Sequence, residues 1–159
     1  RFEYVISPSK ITAIIDYAHT PDALENILKT LVSLKKGSEK IITVFGCGGD
    51  RDKGKRPLMG DISTIYSEHV LVTSDNPRSE DPKKIIQEIC KGITLSKIKK
   101  VTIIEDRREA IKVAYEMANS GDIILIAGKG HEKYQIIGSE KIHFDDLEEI
   151  IEIFKKIKE

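Results

Sequence analysis

Five short apolar runs punctuate the chain at nearly even spacing: Ile11–Asp16, Ile41–Phe45, His69–Thr73, Lys100–Ile104 and Asp122–Ala127. They are too continuous for strands with one wet face and too short for buried helices, so they read as strands covered on both sides. Four of the intervals carry helical patterning. Leu24, Ile27, Leu28, Leu31, Val32 and Leu34 recur at helical spacing behind Thr20-Pro21, a good cap and first helical residue, with Gly37 as the stop. Helices of similar character are expected over about Arg56 to Ser67, from Pro82 to Lys91, and after Asp106-Arg-Arg-Glu109. Strand and helix in alternation require a mainly parallel sheet with helices on both faces. Near the end, Tyr134–Ile137 and Lys141–Phe144 flank Gly138-Ser139 as a hairpin, expected to add an antiparallel edge to that sheet. Asp145-Asp146 then cap a last amphipathic helix with Leu147, Ile150, Ile151, Ile153, Phe154 and Ile157.

In such a fold, ligands bind outside the carboxyl ends of the strands. Four polar loops stand there. The most informative is Asp75-Asn76-Pro77-Arg78, a turn that offers an anion beside a guanidinium. The guanidinium matches a carboxylate with two parallel hydrogen bonds, and both signs together suit a zwitterion such as a free amino acid. Gly46–Gly49 leads into Asp50-Arg51-Asp52, a second guanidinium expected to be aimed by its flanking aspartates. Gly128-Lys129-Gly130-His131-Glu132 adds a carboxylate for a substrate ammonium, and Asp16-Tyr17-Ala18-His19 adds a histidine for a phosphate or a base. Neither glycine-rich loop has the order of a phosphate-binding P-loop or a dinucleotide fingerprint. Any nucleotide is therefore expected to be handled mainly elsewhere. Cys47 lacks a nucleophile's partners, Cys90 lies on an apolar helix face, and the histidines show no metal-ligand spacing.

The composition removes other classes. The 159 residues carry 26 basic and 26 acidic side chains, which argues against a nucleic-acid or anionic membrane surface as partner. No apolar run approaches the ~18 residues of a membrane span. Two cysteines and no signal pattern fit a cytoplasmic location. Arg1 stands where a Met would open a gene, so a fragment of something longer is expected.

Four segments in order resemble the carboxyl-terminal domain of the Mur ligases: Asp16-Tyr-Ala-His-Thr-Pro-Asp22-Ala-Leu24, Val44-Phe-Gly-Cys-Gly-Gly-Asp-Arg-Asp52 with Lys55-Arg-Pro57, Asp75-Asn-Pro-Arg78, and Gly128-Lys-Gly-His-Glu132. The resemblance runs through nearly the whole chain. It implies one Mur ligase carboxyl-terminal, Rossmann-like domain over 1–159, entered through a hinge from Arg1 to about Ser9 that follows a central ATPase domain. The Asp-Asn-Pro-Arg segment matches members that take meso-diaminopimelate, and lysine-adding relatives carry other residues there. By that resemblance Arg51, Asp75, Asn76, Pro77, Arg78, Gly128 and Glu132 bind meso-diaminopimelate. Arg1 and the loop of Asp16, Tyr17 and His19 face ATP. The implied reaction joins meso-diaminopimelate to the UDP-N-acetylmuramoyl dipeptide, L-Ala-D-Glu, through an acyl phosphate. ATP and Mg2+ are held mainly by the central domain, so these 159 residues alone are expected to lack activity. A lysine- or glutamate-adding ligase and a non-enzymatic amino-acid-binding module remain open alternatives.

Overall fold

The computed structural model describes residues 2–156. Arg1 and Ile157 lie outside them. The elements run β1 (Phe2–Ile6), β2 (Thr12–Asp16), α1 (Pro21–Leu34), β3 (Ile41–Phe45), α2 (Lys55–Tyr66), β4 (His69–Val72) and α3 (Pro82–Cys90). A 3-10 turn (Leu95–Lys100) leads to β5 (Val101–Ile103), then α4 (Arg107–Met117), β6 (Ile123–Ala127), β7 (Tyr134–Ile137), β8 (Glu140–His143) and α5 (Asp146–Lys156). The main sheet has the order β1-β2-β6-β3-β4-β5. All neighbours from β2 to β5 are parallel, and β1 pairs antiparallel with β2.

The five apolar runs are thus neighbours in one sheet, as the alternation requires. The edge differs from expectation. The hairpin β7–β8 forms a sheet of its own, touching the main body through a bridge between Arg78 and Ile137. The antiparallel edge is β1 instead, within the segment read as a hinge. The reason lies in the turn after β4. The Arg78 amide donates to Ile136 and its carbonyl accepts from Gly138, so the hairpin is spent on that loop. Helix α1 also stops at Leu34, before Gly37, and leaves Val32 and Leu34 exposed.

Alternation along the strands divides the core. Ile14, Ile41, Phe45, Val70, Val72, Leu125 and Ala127 face α1, α2 and α3. Ala13, Ile15, Ile42, Val44, Leu71, Ile124 and Ile126 face α4 and α5. Chain direction explains the split. The strands β3, β4 and β5 progress outward with helices on one face, then the chain returns through α4 on the other and inserts β6 between β2 and β3. Because these strands are parallel, the loops after β2, β3, β4 and β6 share one rim, and the reversal of strand order sets the crevice among them.

The helix starts follow local rules. Thr20, Asp81 and Asp106 cap α1, α3 and α4 by accepting from the amides of Ala23, Lys83 and Arg108. Pro21 and Pro82 occupy first helical positions.

Candidate functional site

The four loops enclose a cleft of about 430 Å³. Its charged lining is Arg51, Lys55 and Arg78 against Asp52, Asp75 and Glu132. Three cations oppose three anions, which is the composition a zwitterionic ligand needs. Tyr17, His19, Gly48, Asn76 and Gly128 complete most of the wall.

The loop after β3 and the turn after β4 fit together through absent side chains. A Cβ on Gly49 would collide with the Pro77 carbonyl oxygen, and the Gly49 amide donates to Asn76 at 2.8 Å. Arg51 and Arg78 straddle Gly48, where a Cβ would lie 2.9 Å from Arg78 Nη1 and 3.8 Å from Arg51 Cγ. Arg78 has φ 53°, a left-handed conformation that costs a non-glycine residue about 1–3 kcal/mol and persists only where the surroundings impose it. The hairpin's two hydrogen bonds to Arg78 supply that constraint.

Each guanidinium in the cleft is steadied by carbonyls. Arg78 Nη1 donates to Gly49 at 2.9 Å, and Arg51 Nη1 donates to Asp50 at 2.8 Å. The aspartates beside Arg51 do not aim it, contrary to the sequence-based expectation. Asp50 accepts from the amide and hydroxyl of Ser79, and Asp52 accepts from the Gly54 amide. Asp52 bonds locally, as a short carboxylate beside a turn amide does, while Asp50 is taken by a residue 29 positions on. Among the described residues, Arg56, Arg107 and Arg108 are each ion-paired, while Arg51 and Arg78 meet no carboxylate.

The anions differ as well. Asp75, a substrate contact by the family resemblance, has a charge partner within the chain. It is only 8 % exposed, and the fully buried Lys129 places Nζ 2.9 Å from its Oδ1. The approach is out of line for a hydrogen bond, so Oδ1 has a charge partner without a directed donor. Lys129 instead donates to Asn76 Oδ1 at 2.9 Å and to the Tyr134 carbonyl at 2.8 Å. Asn76 Oδ1 also accepts from Ile136, and its Nδ2 lies 3.4 Å from Glu132 Oε1. Asn76 is therefore 3 % exposed and occupied in holding the turn together. Glu132, half-buried, is the more accessible carboxylate. Gly128 has φ 118°, with Asp75 packed where a side chain would begin. Pro77 does not wall the cleft; it lines the groove behind the turn, between Ser74 and Pro82.

In the loop after β2, Tyr17 and His19 reach the cleft, with rings 4.4 Å apart. His19 Nδ1 lies 2.8 Å from the Tyr17 carbonyl, an arrangement in which Nδ1 carries the proton and Nε2 is left as the acceptor. Lys55 donates to the His19 carbonyl and ties this loop to α2. Asp16 is not in the wall: its Oδ2 accepts from Ala18. Arg1 lies outside the described residues. Cys47 is buried, and burial pushes its thiol up to about 12, so it carries no thiolate near neutrality.

Beneath the cleft lie groups that sequence reasoning did not single out. Lys129 is one. Arg107 is another, fully buried, donating to both oxygens of the fully buried Asp146 at 2.8 and 2.7 Å and to the carbonyls of Ser74 and Ala127. Arg56 is the third, paired with Glu80 and Glu88. One faint signal existed for Arg107: an arginine in a helix's first turn opposes the helix dipole and needs a compensating anion. The second of two adjacent aspartates, Asp146, was that anion. Among the described residues no three His, Cys, Asp or Glu side chains gather as metal ligands, and no helix is long and apolar enough to cross a membrane.

A family model described as Mur ligase, glutamate ligase domain, matches residues 1–130. The chain belongs to the Mur ligase family. It is 58% identical to the UDP-N-acetylmuramoyl-L-alanyl-D-glutamate--2,6-diaminopimelate ligase of Cytophaga hutchinsonii, over 92% of this chain and 30% of that protein. The similarly named protein of Syntrophomonas wolfei is 52% identical over 99% of this chain and 32% of its own length. A solved structure of a ligase of that name, 45% identical, superposes with a TM-score of 0.90 over 98% of this chain and 31% of that one. The chain therefore spans about a third of the length of the curated relatives it matches. A mostly parallel sheet covered on both faces, with a separate antiparallel hairpin, is the architecture of this Mur ligase domain.

Proposed function

We propose that this Mur ligase domain binds the incoming amino acid in a longer ATP-dependent amide ligase, and that the amino acid is meso-diaminopimelate. One observation carries the reading. Arg51 and Arg78 line one cleft without carboxylate partners, whereas the other described arginines are paired. A guanidinium held only by carbonyls retains donors for a substrate carboxylate. Two such groups beside Glu132 suit an amino acid that carries a second carboxylate with an ammonium next to it. The names of the relatives fit this chemistry.

In the proposed reaction the D-glutamate side-chain carboxylate of the UDP-N-acetylmuramoyl dipeptide is phosphorylated at the expense of ATP. The free amine of meso-diaminopimelate attacks the acyl carbon, and phosphate leaves from the tetrahedral intermediate. The residues of this chain contribute position. Arg78 and Arg51 fix the distal carboxylate, Glu132 pairs with the ammonium, and the amine is thereby presented in one orientation. Asp75 supports this through Lys129 more than through direct contact. Tyr17 and the Nε2 of His19 form the wall that faces the nucleotide. No described residues make a P-loop or gather as metal ligands, so ATP and Mg2+ fall chiefly to the rest of the enzyme.

The test is amino-acid-dependent phosphate release by the full-length ligase, with meso-diaminopimelate, lysine, ornithine and D-glutamate each varied at saturating ATP and UDP-dipeptide. Meso-diaminopimelate is expected to be preferred over lysine by about 10⁴-fold in kcat/KM, the scale for a site built to hydrogen-bond a group that the rival lacks. Equal use of lysine would overturn the reading.

A further inference from the structure

The loop between β3 and α2 is held by an arrangement that reaches beyond the cleft wall. Three successive carbonyls, of Gly48, Gly49 and Asp50, accept from three different guanidiniums: Arg56 at 2.9 Å, Arg78 at 2.9 Å and Arg51 at 2.8 Å. Two of these guanidiniums face the cleft. The third, Arg56, is fully buried and forks onto Glu80, with Nη1 and Nη2 each 3.0 Å from one carboxylate oxygen. Glu80 Oε2 also accepts from the Asp50 amide at 2.6 Å. Ser79, between Arg78 and Glu80, donates its hydroxyl to Asp50 at 2.7 Å.

Asp50 has φ 56°, and Arg78 has φ 53°. Neither is glycine, so each conformation must be imposed by its surroundings. The hairpin imposes it at Arg78. At Asp50 the constraint is Glu80 on its amide and Ser79 on its carboxylate. The two carbonyls that steady the cleft guanidiniums lie on either side of the Asp50 Cα. Relaxation of Asp50 toward the right-handed region turns both of them, and moves both guanidiniums with them.

We propose that Glu80, clamped by Arg56, is a positioning residue that fixes the spacing of the Arg51 and Arg78 guanidiniums and thereby the selectivity for an amino acid with a second carboxylate. The inference rests on the functional reading given above. Glu80 touches no substrate; it acts through Asp50. Its charge is secure at working pH, because the hydrogen bonds from Arg56 and then from the Asp50 amide hold its carboxyl down at about 2.

The experiment uses the full-length ligase with Glu80→Gln and Ser79→Ala, varying meso-diaminopimelate, lysine and ATP in turn, with folding followed by circular dichroism. A clamp that serves stability alone lowers Tm and leaves the Michaelis constants unchanged. A positioning role raises the KM for meso-diaminopimelate in Glu80→Gln by about 10- to 100-fold, the range found when a group that orients a ligand is lost. The KM for ATP stays put, and the preference over lysine shrinks. Ser79→Ala, an exposed change that spares the core, shifts the same constants by about 2- to 10-fold, as for one lost hydrogen bond. A folded Glu80→Gln enzyme with unchanged meso-diaminopimelate KM and unchanged preference overturns the inference. If Glu80→Gln does not fold, Ser79→Ala decides in the same way. A wild-type enzyme that takes lysine as readily as meso-diaminopimelate sinks the functional reading and this inference with it. A selective wild type with unaltered variants sinks the inference alone.

Discussion

Two pairs of arginines occupy the same end of the sheet and do opposite things. Arg56 and Arg107 are fully buried, and each forks onto a carboxylate. Arg51 and Arg78 line the cleft and rest on carbonyls. A guanidinium buried without an anion is very costly, so the deep pair is matched within the chain. One left at a cleft wall stays hydrated until an anionic ligand displaces that water. The difference separates groups that hold the loops from groups left available to bind.

The comparison predicts separable losses. The largest belongs to the deep pair. Asp146→Ala leaves Arg107 uncompensated between α4, α5 and the ends of β4 and β6, and is expected to cost roughly 3–5 kcal/mol of stability in denaturant unfolding. A loss under ~1 kcal/mol would mean the pair is no more than a surface contact.

Arg78→Ala comes next and should reverse the pattern. In the full-length ligase we expect the KM for meso-diaminopimelate to rise by roughly 2–5 kcal/mol of binding energy, about 30-fold or more. Unfolding should move by less than ~1 kcal/mol, because only carbonyl contacts are lost. Arg78→Lys should rescue little, since an ammonium cannot reproduce the planar fork. A KM shift within about fivefold, with the preference over lysine intact, would reduce Arg78 to a turn residue.

The smallest effect sharpens the boundary between the pairs. The Glu80 carboxyl is held at about 2, below its ordinary 4.5, first by the Arg56 hydrogen bonds and then by the Asp50 amide. A depressed carboxylate stabilises the fold fully above its unfolded value and loses that contribution as pH falls through its folded value. The stability gap between wild type and Glu80→Gln should therefore be present at pH 7, shrink between 4.5 and about 2, and be absent below. With 18% of the Glu80 side chain in water, screening keeps the gap modest. A gap that grows on acidification would place the clamp elsewhere.

Much of the scaffold was legible because it depends on neighbours in sequence. Continuous apolar runs imply strands covered twice, and Thr20-Pro21 and Asp81-Pro82 mark helix starts whatever surrounds them. The convergence of four loops followed from the alternation of elements, since parallel strands put their carboxyl ends on one side. The motifs for Arg51, Arg78 and Glu132 were readable for the same reason, and these side chains do share one cleft.

What tertiary structure decided was the partnership of each charge. Arg56 finds Glu80 24 residues on, Arg107 finds Asp146 39 residues on, and Lys129 reaches back 53 residues to Asn76. Apart from the place of Arg107 in the first turn of α4, no local pattern distinguishes those cations from Arg51 or Arg78. The same distance effect moved the hairpin onto the turn after β4, gave the sheet edge to β1, and withdrew Asp75 from the solvent. The amino-acid sequence by itself determined which segments are strands and helices and which loops carry charge, because hydrophobic period and capping act over a few residues. Only the fold determined which charges are neutralised and which stay open to a ligand, because burial makes pairing obligatory and burial is a property of the packed molecule.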